Sequence, residues 1–326
     1  MRRPAERIVV VGSGPFAGDL VREFRRGAKR TASRVVAVVD DRELRPLTAA
    51  SGRARLASII GRFAPARILL ALPEGRNALV ERHMANLCGT ASVIEDGIDA
   101  YARVTGKIPI ERLANRGVMT GETFTHCVAL RLIRRMIDLV MATLGLFVCA
   151  PLCIAIGVAI KLDCGGSVFF VQDRIGRHGE PFRMLKFRTM HATPASSQWV
   201  RDNASRITRV GRWLRRFRLD EIPQLGNVLR GEMSLVGPRP HPVSNLEMFA
   251  QEIPFYSIRT RVRPGITGWA QVKYGYANDL VEETEKVRYD LFYVNNASLW
   301  LDLRVLFETV KTVLLARDFE SASRIS

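Results

Sequence analysis

The alternation of apolar and polar residues divides the chain into three regions. In the first, residues 1 to about 125, short apolar runs at 8–11, 35–39 and 68–72 predict strands, and a helix is expected from residue 15 to about 26. Strands that alternate with helices favour an α/β domain with a parallel sheet.

The second region is a membrane-scale apolar segment. Residues 139–160 are 22 residues without a charge, which as a helix measure about 33 Å and suffice to cross a bilayer core. Pro151 lies near the middle and should kink such a helix. Arginines 131, 134 and 135 precede the segment and Lys161 follows it. Because positive flanks mark the cytoplasmic side, we expect a re-entrant helix at about 136–162, with a plain kinked span as the alternative.

The third region, residues 165–326, is basic and contributes to a net charge of +17. Such a charge suggests a polyanionic partner: nucleic acid, anionic lipid or a phosphorylated substrate. Arginines interleave with large apolar residues at 212–219, and residues 300–314 carry apolar positions at helical spacing. Both patterns are typical of amphipathic interfacial helices, although the second also fits packing into a core. No nucleic-acid-binding motif is found, so nucleic acid is not expected as a partner.

Cysteine and histidine usage gives no metal site. The five cysteines and five histidines lack metal-ligand spacing, and we expect reduced thiols in a cytoplasmic compartment. The apolar run at 8–11 is too short for the core of a signal peptide.

A glycine turn follows the first strand. Gly12, Gly14 and Ala17 match the G-x-G-x-x-A dinucleotide fingerprint, and Asp40 closes the second strand, where a ribose-binding acid is expected. Gly12, Gly14 and Asp40 are therefore candidate residues for a bound nucleotide, and a domain that keeps the turn without the ligand is the alternative. A membrane-tethered NAD-dependent oxidoreductase or epimerase would account for this turn, but it leaves residues 165–326 unexplained.

Four motifs dominate the third region. They are Lys-Phe-Arg-Thr-Met at 186–190, Arg-Leu-Asp-Glu-Ile-Pro-Gln-Leu-Gly-Asn at 218–227, Ser-Leu-Val-Gly-Pro-Arg-Pro at 234–240 and Arg-Pro-Gly-Ile-Thr-Gly-Trp-Ala-Gln-Val at 263–272. Together with the segments at 169–176 and 287–290, they resemble the bacterial sugar transferase family, the monotopic phosphoglycosyl transferases. The similarity runs from about residue 134 to about 315. Two departures are visible: residues 1–125 lack the four transmembrane helices with which larger members begin, and the turn at 164–167 differs.

The resemblance implies an α/β fold in two domains. Residues 1–125 would form a Rossmann-like nucleotide-binding or regulatory domain. Residues 126–326 would form a mixed α/β transferase domain, anchored by the re-entrant helix and by amphipathic interfacial helices at the cytoplasmic face of the bacterial inner membrane. A homodimer is a possible assembly.

The resemblance also implies the reaction. Sugar-1-phosphate would pass from a UDP-sugar, by resemblance a UDP-hexose, to undecaprenyl phosphate, with release of UMP. This is the first membrane step of exopolysaccharide or O-antigen synthesis, and it implies Mg²⁺ and a covalent aspartyl-phosphosugar intermediate.

The site residues follow from the matched motifs. Asp220 matches the nucleophile, and Glu221 is assigned to magnesium or to acid/base support. Lys186, Arg188 and Arg239 are candidate phosphate ligands, since phosphoryl transfer needs positive charge around the reacting group. Asp290 is expected to complete a magnesium site with Asp220 and Glu221, with a structural salt bridge as the alternative.

Overall fold

The computed structural model describes residues 6–31, 33–40, 50–72, 92–113, 128–191, 205–275 and 277–314. Its contacts divide the chain into two compact units, Met1–Met119 and Thr120–Ser326. The domain boundary expected near residue 125 falls outside the described residues.

The first unit is built on a parallel sheet. Its elements are β1 (Glu6–Val11), α1 (Pro15–Thr31), β2 (Ser33–Val39), α2 (Ala50–Phe63), β3 (Arg67–Leu70), β4 (Val93–Asp96) and α3 (Gly97–Thr105), and the strand order is β2-β1-β3-β4. The strands pair in parallel, as predicted. Alternate residues of β1 face opposite sides: Ile8 packs with Leu20 of α1, whereas Val9 packs in a second cluster that includes Ile60 of α2. Both faces of the sheet are therefore covered, as parallel sheets require.

The second unit is mixed α/β. It contains α4 (Val128–Cys164), the antiparallel pair β5 (Phe169–Ile175) and β6 (Pro181–Phe187), α5 (Arg209–Arg216), α6 (Gln224–Arg230), β7 (Ser234–Val236), α7 (Leu246–Glu252), β8 (Gly265–Thr267), α8 (Trp269–Lys273), α9 (Leu280–Asn296) and α10 (Leu299–Leu314). Strands β7 and β8 pair in parallel. Short 3₁₀ segments at Leu219–Glu221 and Tyr256–Arg261 complete the part that bears on the site.

Helix α4 is the one helix in the described residues that is long and apolar enough to cross a membrane. It contains Pro151, and helical residues continue on both sides of this proline. The break expected at positions 150–151 is thus not a helix end, because a proline removes one backbone hydrogen bond and a helix can continue beyond it.

Helix α4 packs against the rest of the second unit on both sides of Pro151. Ala142 belongs to a buried cluster with Met184 of β6 and Val228 of α6. Toward the other end, Ile160 is buried in a cluster with Leu214 of α5. Between these contacts the helix exposes large apolar side chains, and Phe147 is 80% exposed.

Helix α6 is fixed by hydrogen bonds to its neighbours β6 and α4. Asn227 is fully buried; its Oδ1 accepts the Leu185 N–H at 3.0 Å and its Nδ2 donates to the Arg183 carbonyl at 2.8 Å. At the C-terminal end of the helix, where carbonyls run short of helical donors, Arg135 of α4 donates to the carbonyls of Val228 and Leu229 at 2.6 and 2.8 Å. Helix α6, which follows the turn of Asp220 and Glu221, is therefore held between α4 and β6.

The amphipathic segments expose their apolar faces. Trp213 of α5 is 64% exposed while Leu214 is buried. In α10 the residues Trp300, Leu303, Phe307 and Val310 are all exposed, and Leu301 and Val305 are buried on the other face. The alternative that the C-terminal helix buries this stripe in its own core is wrong.

Candidate active site

The turn before α6 holds two adjacent acids in different surroundings. Arg218 adopts φ 58° and ψ 18°, the left-handed region that residues other than glycine rarely occupy, and the 3₁₀ segment Leu219–Glu221 follows. Asp220 and Glu221 are 7% and 6% exposed. Strained backbone of this kind concentrates at functional sites, because the surrounding structure must hold it.

Three cationic side chains contact the carboxylate of Glu221. Its Oε1 lies 2.8 Å from Arg239 Nη2, 3.2 Å from Lys186 Nζ and 3.6 Å from Arg218 Nη1. Burial opposes ionisation of this carboxyl, but the charges of Arg239, Lys186 and Arg218 outweigh it and hold the pKa of Glu221 well below its usual range. Glu221 is therefore a carboxylate that is already neutralised by its neighbours.

Asp220 differs from Glu221 in its hydrogen bonding and in the direction of its pKa shift. Its Oδ1 is buried and has no hydrogen-bond partner within the described part of the chain. Burial, followed by the charge of Glu221, raises the pKa of Asp220, and the nearby Lys186 acts against this rise. Two neighbouring carboxyls whose environments separate their pKa values are typical of paired catalytic acids with different roles.

Two further side chains belong to this site, although the sequence did not single them out. Burial, helped by Arg239, lowers the pKa of Arg174 to about 9, and Glu221 acts against this shift. Gln224 is 1% exposed, and its Nε2 has no partner among the described residues. Both lie inside segments that carry the family motifs, at 169–176 and 218–227, so position within a motif was the signal available.

Arg188 is placed away from the acidic pair. Its Nη2 donates to Ser167 Oγ at 3.1 Å, and the guanidinium packs on Gly166, where a Cβ atom would lie 2.0 Å from Nη1. Arg188 thus contacts the turn that follows α4, and no described contact joins it to Glu221. Its phosphate-binding role stays a prediction.

Asp290 is held by an arginine. It is 1% exposed, and its Oδ2 accepts from Arg259 Nη2 at 2.6 Å. Among the described residues no group of three or more His, Cys, Asp or Glu side chains is gathered to hold a metal ion. The structure therefore does not bring Asp290 together with Asp220 and Glu221 as ligands, and it favours the salt-bridge alternative.

The candidate nucleotide residues share one edge of the first unit's sheet. Gly12 has φ +154°, and a Cβ there would lie 2.2 Å from the Ala71 carbonyl oxygen, so the close approach of β3 already requires a glycine. Its N–H donates to the Val39 carbonyl at 2.9 Å, next to Asp40. A Cβ on Gly14 would meet only Arg112, at 3.8 Å. The turn has a steric explanation at Gly12, and a bound nucleotide stays a prediction.

Comparison with known proteins places the second unit in a family. The model of the family described as "Bacterial sugar transferase" matches residues 129–316. A UDP-N-acetylgalactosamine-undecaprenyl-phosphate N-acetylgalactosaminephosphotransferase of Aeromonas hydrophila is 44% identical over 56% of this chain and 44% of its own length. A UDP-glucose:undecaprenyl-phosphate glucose-1-phosphate transferase of Escherichia coli K12 is 44% identical over 55% of this chain and 40% of its own.

The chain thus spans less than half the length of these two relatives. A protein of Caulobacter vibrioides, named as a UDP-glucose:undecaprenyl-phosphate glucose-1-phosphate transferase, is 43% identical over 57% of this chain and 72% of its own length. The matched family region includes Asp220, Glu221 and all the cations around them. Because this region covers more than half of the sequence, the protein belongs to the bacterial sugar transferase family.

Proposed function

We propose that the protein transfers a hexose-1-phosphate from a UDP-sugar to undecaprenyl phosphate and releases UMP. The observation that carries this proposal is the buried Oδ1 of Asp220, which has no hydrogen-bond partner among the described residues. The next residue, Glu221, contacts three cations through its carboxylate. The relatives from Escherichia coli and Caulobacter vibrioides are named for UDP-glucose, and that from Aeromonas hydrophila for UDP-N-acetylgalactosamine. The names support a UDP-hexose or its acetamido derivative as donor.

The proposed reaction has two steps. A carboxylate oxygen of Asp220 attacks the β-phosphorus of the UDP-sugar, and the bond from that phosphorus to the bridging oxygen breaks, so that its electron pair leaves with UMP. An aspartyl-phosphosugar is formed. A phosphate oxygen of undecaprenyl phosphate then attacks the same phosphorus, and the carboxylate of Asp220 leaves. Covalent catalysis of this kind splits one transfer into two easier steps.

The surrounding cations provide electrostatic stabilisation for the proposed reaction. Lys186 is close enough to Asp220 to act on its charge, and Arg239 and Arg174 lie near Glu221. Fixed positive charge beside the attacking carboxylate stabilises the charge that develops during phosphoryl transfer. Glu221 keeps Lys186 and Arg239 together through one oxygen atom. Mg²⁺ is commonly held by one or two carboxylates together with substrate phosphates. The Oδ1 of Asp220, which has no partner among the described residues, is the oxygen that would hold the ion, and Mg²⁺ would neutralise phosphate charge when bound.

Helix α4 is proposed to be re-entrant, with both ends at the cytoplasmic face of the inner membrane. Ala142 and Ile160, on opposite sides of Pro151, pack against the rest of the second unit, and residues between them expose apolar side chains. A straight span would need one of these residues to lie across the bilayer from that unit. The homodimer and the nucleotide of the first unit stay predictions.

UMP release tests the proposed function. The purified chain is incubated with undecaprenyl phosphate, Mg²⁺ and a panel of UDP-sugars. We expect Asp220→Asn to lower turnover by on the order of 10³-fold or more, because the amide keeps the shape and lacks the nucleophilic charge. Glu252→Gln, at an exposed acid of α7 outside the named motifs, is the control and should keep activity. Turnover of Asp220→Asn near that of the wild type would contradict the assignment.

A further inference from the structure

A layer of four buried charged side chains lies against the turn that carries Arg239, and none of the four is assigned to the proposed phosphate chemistry. Arg259 is 5% exposed, Asp290 1%, Glu283 4% and Lys286 6%. Charges removed from water to this extent are retained only when they are paired and hydrogen-bonded. Their partners therefore indicate what the layer holds in place.

Arg259 is the centre of the layer. Its Nη2 donates to Asp290 Oδ2 at 2.6 Å and to the main-chain carbonyl of Arg239 at 2.8 Å. Its Nη1 donates to Tyr256 Oη at 3.0 Å and lies 2.6 Å from His241 Nδ1. Burial, helped by Arg259, lowers the pKa of His241 to about 3, and Glu283 acts against this shift. The imidazole is therefore neutral, and its Nδ1 also lies 2.6 Å from Tyr256 Oη, so Arg259, Tyr256 and His241 form one buried cluster.

The backbone from 238 to 241 is fixed at every carbonyl. Outside donors reach all four oxygens: Gly265 N–H to Pro238 at 3.0 Å, Arg259 Nη2 to Arg239 at 2.8 Å, Arg174 Nη1 to Pro240 at 2.9 Å and Ile175 N–H to His241 at 2.9 Å. Two prolines in this stretch also fix their own φ angles. The turn that carries Arg239 thus has little freedom while these four donors remain in place.

We propose that Asp290 acts through Arg259 as a positioning residue that fixes the main chain of Arg239 and thereby aims its guanidinium at Glu221 and the donor phosphates. The chain of contacts is continuous: Asp290 to Arg259, Arg259 to the Arg239 carbonyl, and Arg239 Nη2 to Glu221 Oε1. The proposal rests on the function proposed above for Arg239, and it replaces the expected metal role of Asp290. Catalytic groups must be held within fractions of an ångström, so a remote loss of order has a large effect on rate.

The test compares Asp290→Asn with the wild type in three measurements. Asparagine keeps the shape and one acceptor oxygen but lacks the charge that orients Arg259. We expect the Ile175 amide, which donates to the His241 carbonyl, to exchange with deuterium about tenfold faster. We expect kcat to fall about 10- to 100-fold. The Mg²⁺ concentration for half-maximal activity should change by less than about twofold, whereas loss of a metal ligand or its support typically weakens metal binding 10- to 100-fold.

Asp302→Asn is the matched control. Asp302 is a second buried acid, paired with Arg134 at 2.7 Å, and no contact described here joins it to Arg239. It should leave Ile175 exchange and the Mg²⁺ requirement unchanged. If Asp290→Asn does not fold, Arg259→Lys replaces it, because an ammonium keeps a charge beside Asp290 but lacks the second branch that reaches the Arg239 carbonyl.

Two results would overturn the proposal: an Mg²⁺ requirement raised tenfold or more with unchanged Ile175 exchange, or wild-type kcat and exchange in the variant. Hydrogen exchange does not depend on turnover. A wild-type chain that releases no UMP from any donor would therefore refute the proposed function, while the exchange measurement would still decide whether Asp290 orders the turn.

Discussion

Asp220 and Glu221 are adjacent in sequence, but the fold places their carboxyl groups in different environments. Glu221 contacts Arg239, Lys186 and Arg218, whereas Asp220 keeps a buried oxygen without a partner in the described structure. An unpaired buried acceptor costs stability, and such a cost is retained where a substrate supplies the missing contact. The sequence placed both acids in one motif, but it could not show which acid collects the cations.

Lys186 gives the site a dependence on pH. Burial lowers its pKa to about 8; Glu221 acts against this shift and Arg239 acts with it. The cationic form therefore predominates below pH 8 and is lost as the pH rises through that value. We expect UMP release to fall above pH 8, because the donor diphosphate loses one positive neighbour.

Lys186→Arg should move this alkaline limb upward, since a guanidinium holds its proton to higher pH than an ammonium in the same place. Lys273→Arg, at an exposed lysine outside the site, is the control and should leave the limb in place. The pH profile of kcat/KM checks both variants. An alkaline limb unchanged in Lys186→Arg would show that another group titrates there.

At the scale of elements, the long apolar helix α4 was the part of the fold most readable from sequence. Its length and apolarity fixed its position near 136–162, within the observed Val128–Cys164. The strands of the first unit were also predicted, except β4, whose Val93 and Ile94 form too short an apolar run to recognise. The contacts of Asn227 with Leu185 and of Arg135 with Val228 join distant segments, and no local pattern encodes them.

The re-entrant topology predicts that both ends of α4 label from the cytoplasmic side. Single cysteines are introduced at two exposed residues, Arg131 in the first turn of α4 and Glu180 beyond its C-terminal end, in a chain whose native cysteines are replaced. An impermeant maleimide should label both sites in inside-out vesicles and neither in intact spheroplasts. The reason is the positive charge on both flanks and the packing of α4 on the rest of the second unit on both sides of Pro151. Labelling of the two sites from opposite faces would contradict this topology.

At the scale of the whole molecule, function is concentrated in the second unit. The family region, residues 129–316, contains every residue assigned to the chemistry. The metal role expected for Asp290 came from the motif alone, and the structure instead pairs this acid with Arg259, because burial of one charge required the other. Arg259 carried no sequence signal of that pairing, since 31 residues separate the two partners.

The central claim is a covalent intermediate on Asp220, and peptide mass spectrometry tests it most directly. The wild-type chain is incubated briefly with the UDP-sugar that supports UMP release, without undecaprenyl phosphate, and is then quenched and digested. We predict a phosphosugar on the peptide that contains Asp220, formed together with one UMP, absent from Asp220→Asn and lost when undecaprenyl phosphate is added. A phosphosugar on another residue, or UMP release that requires both substrates at once with no modified peptide, would contradict the account.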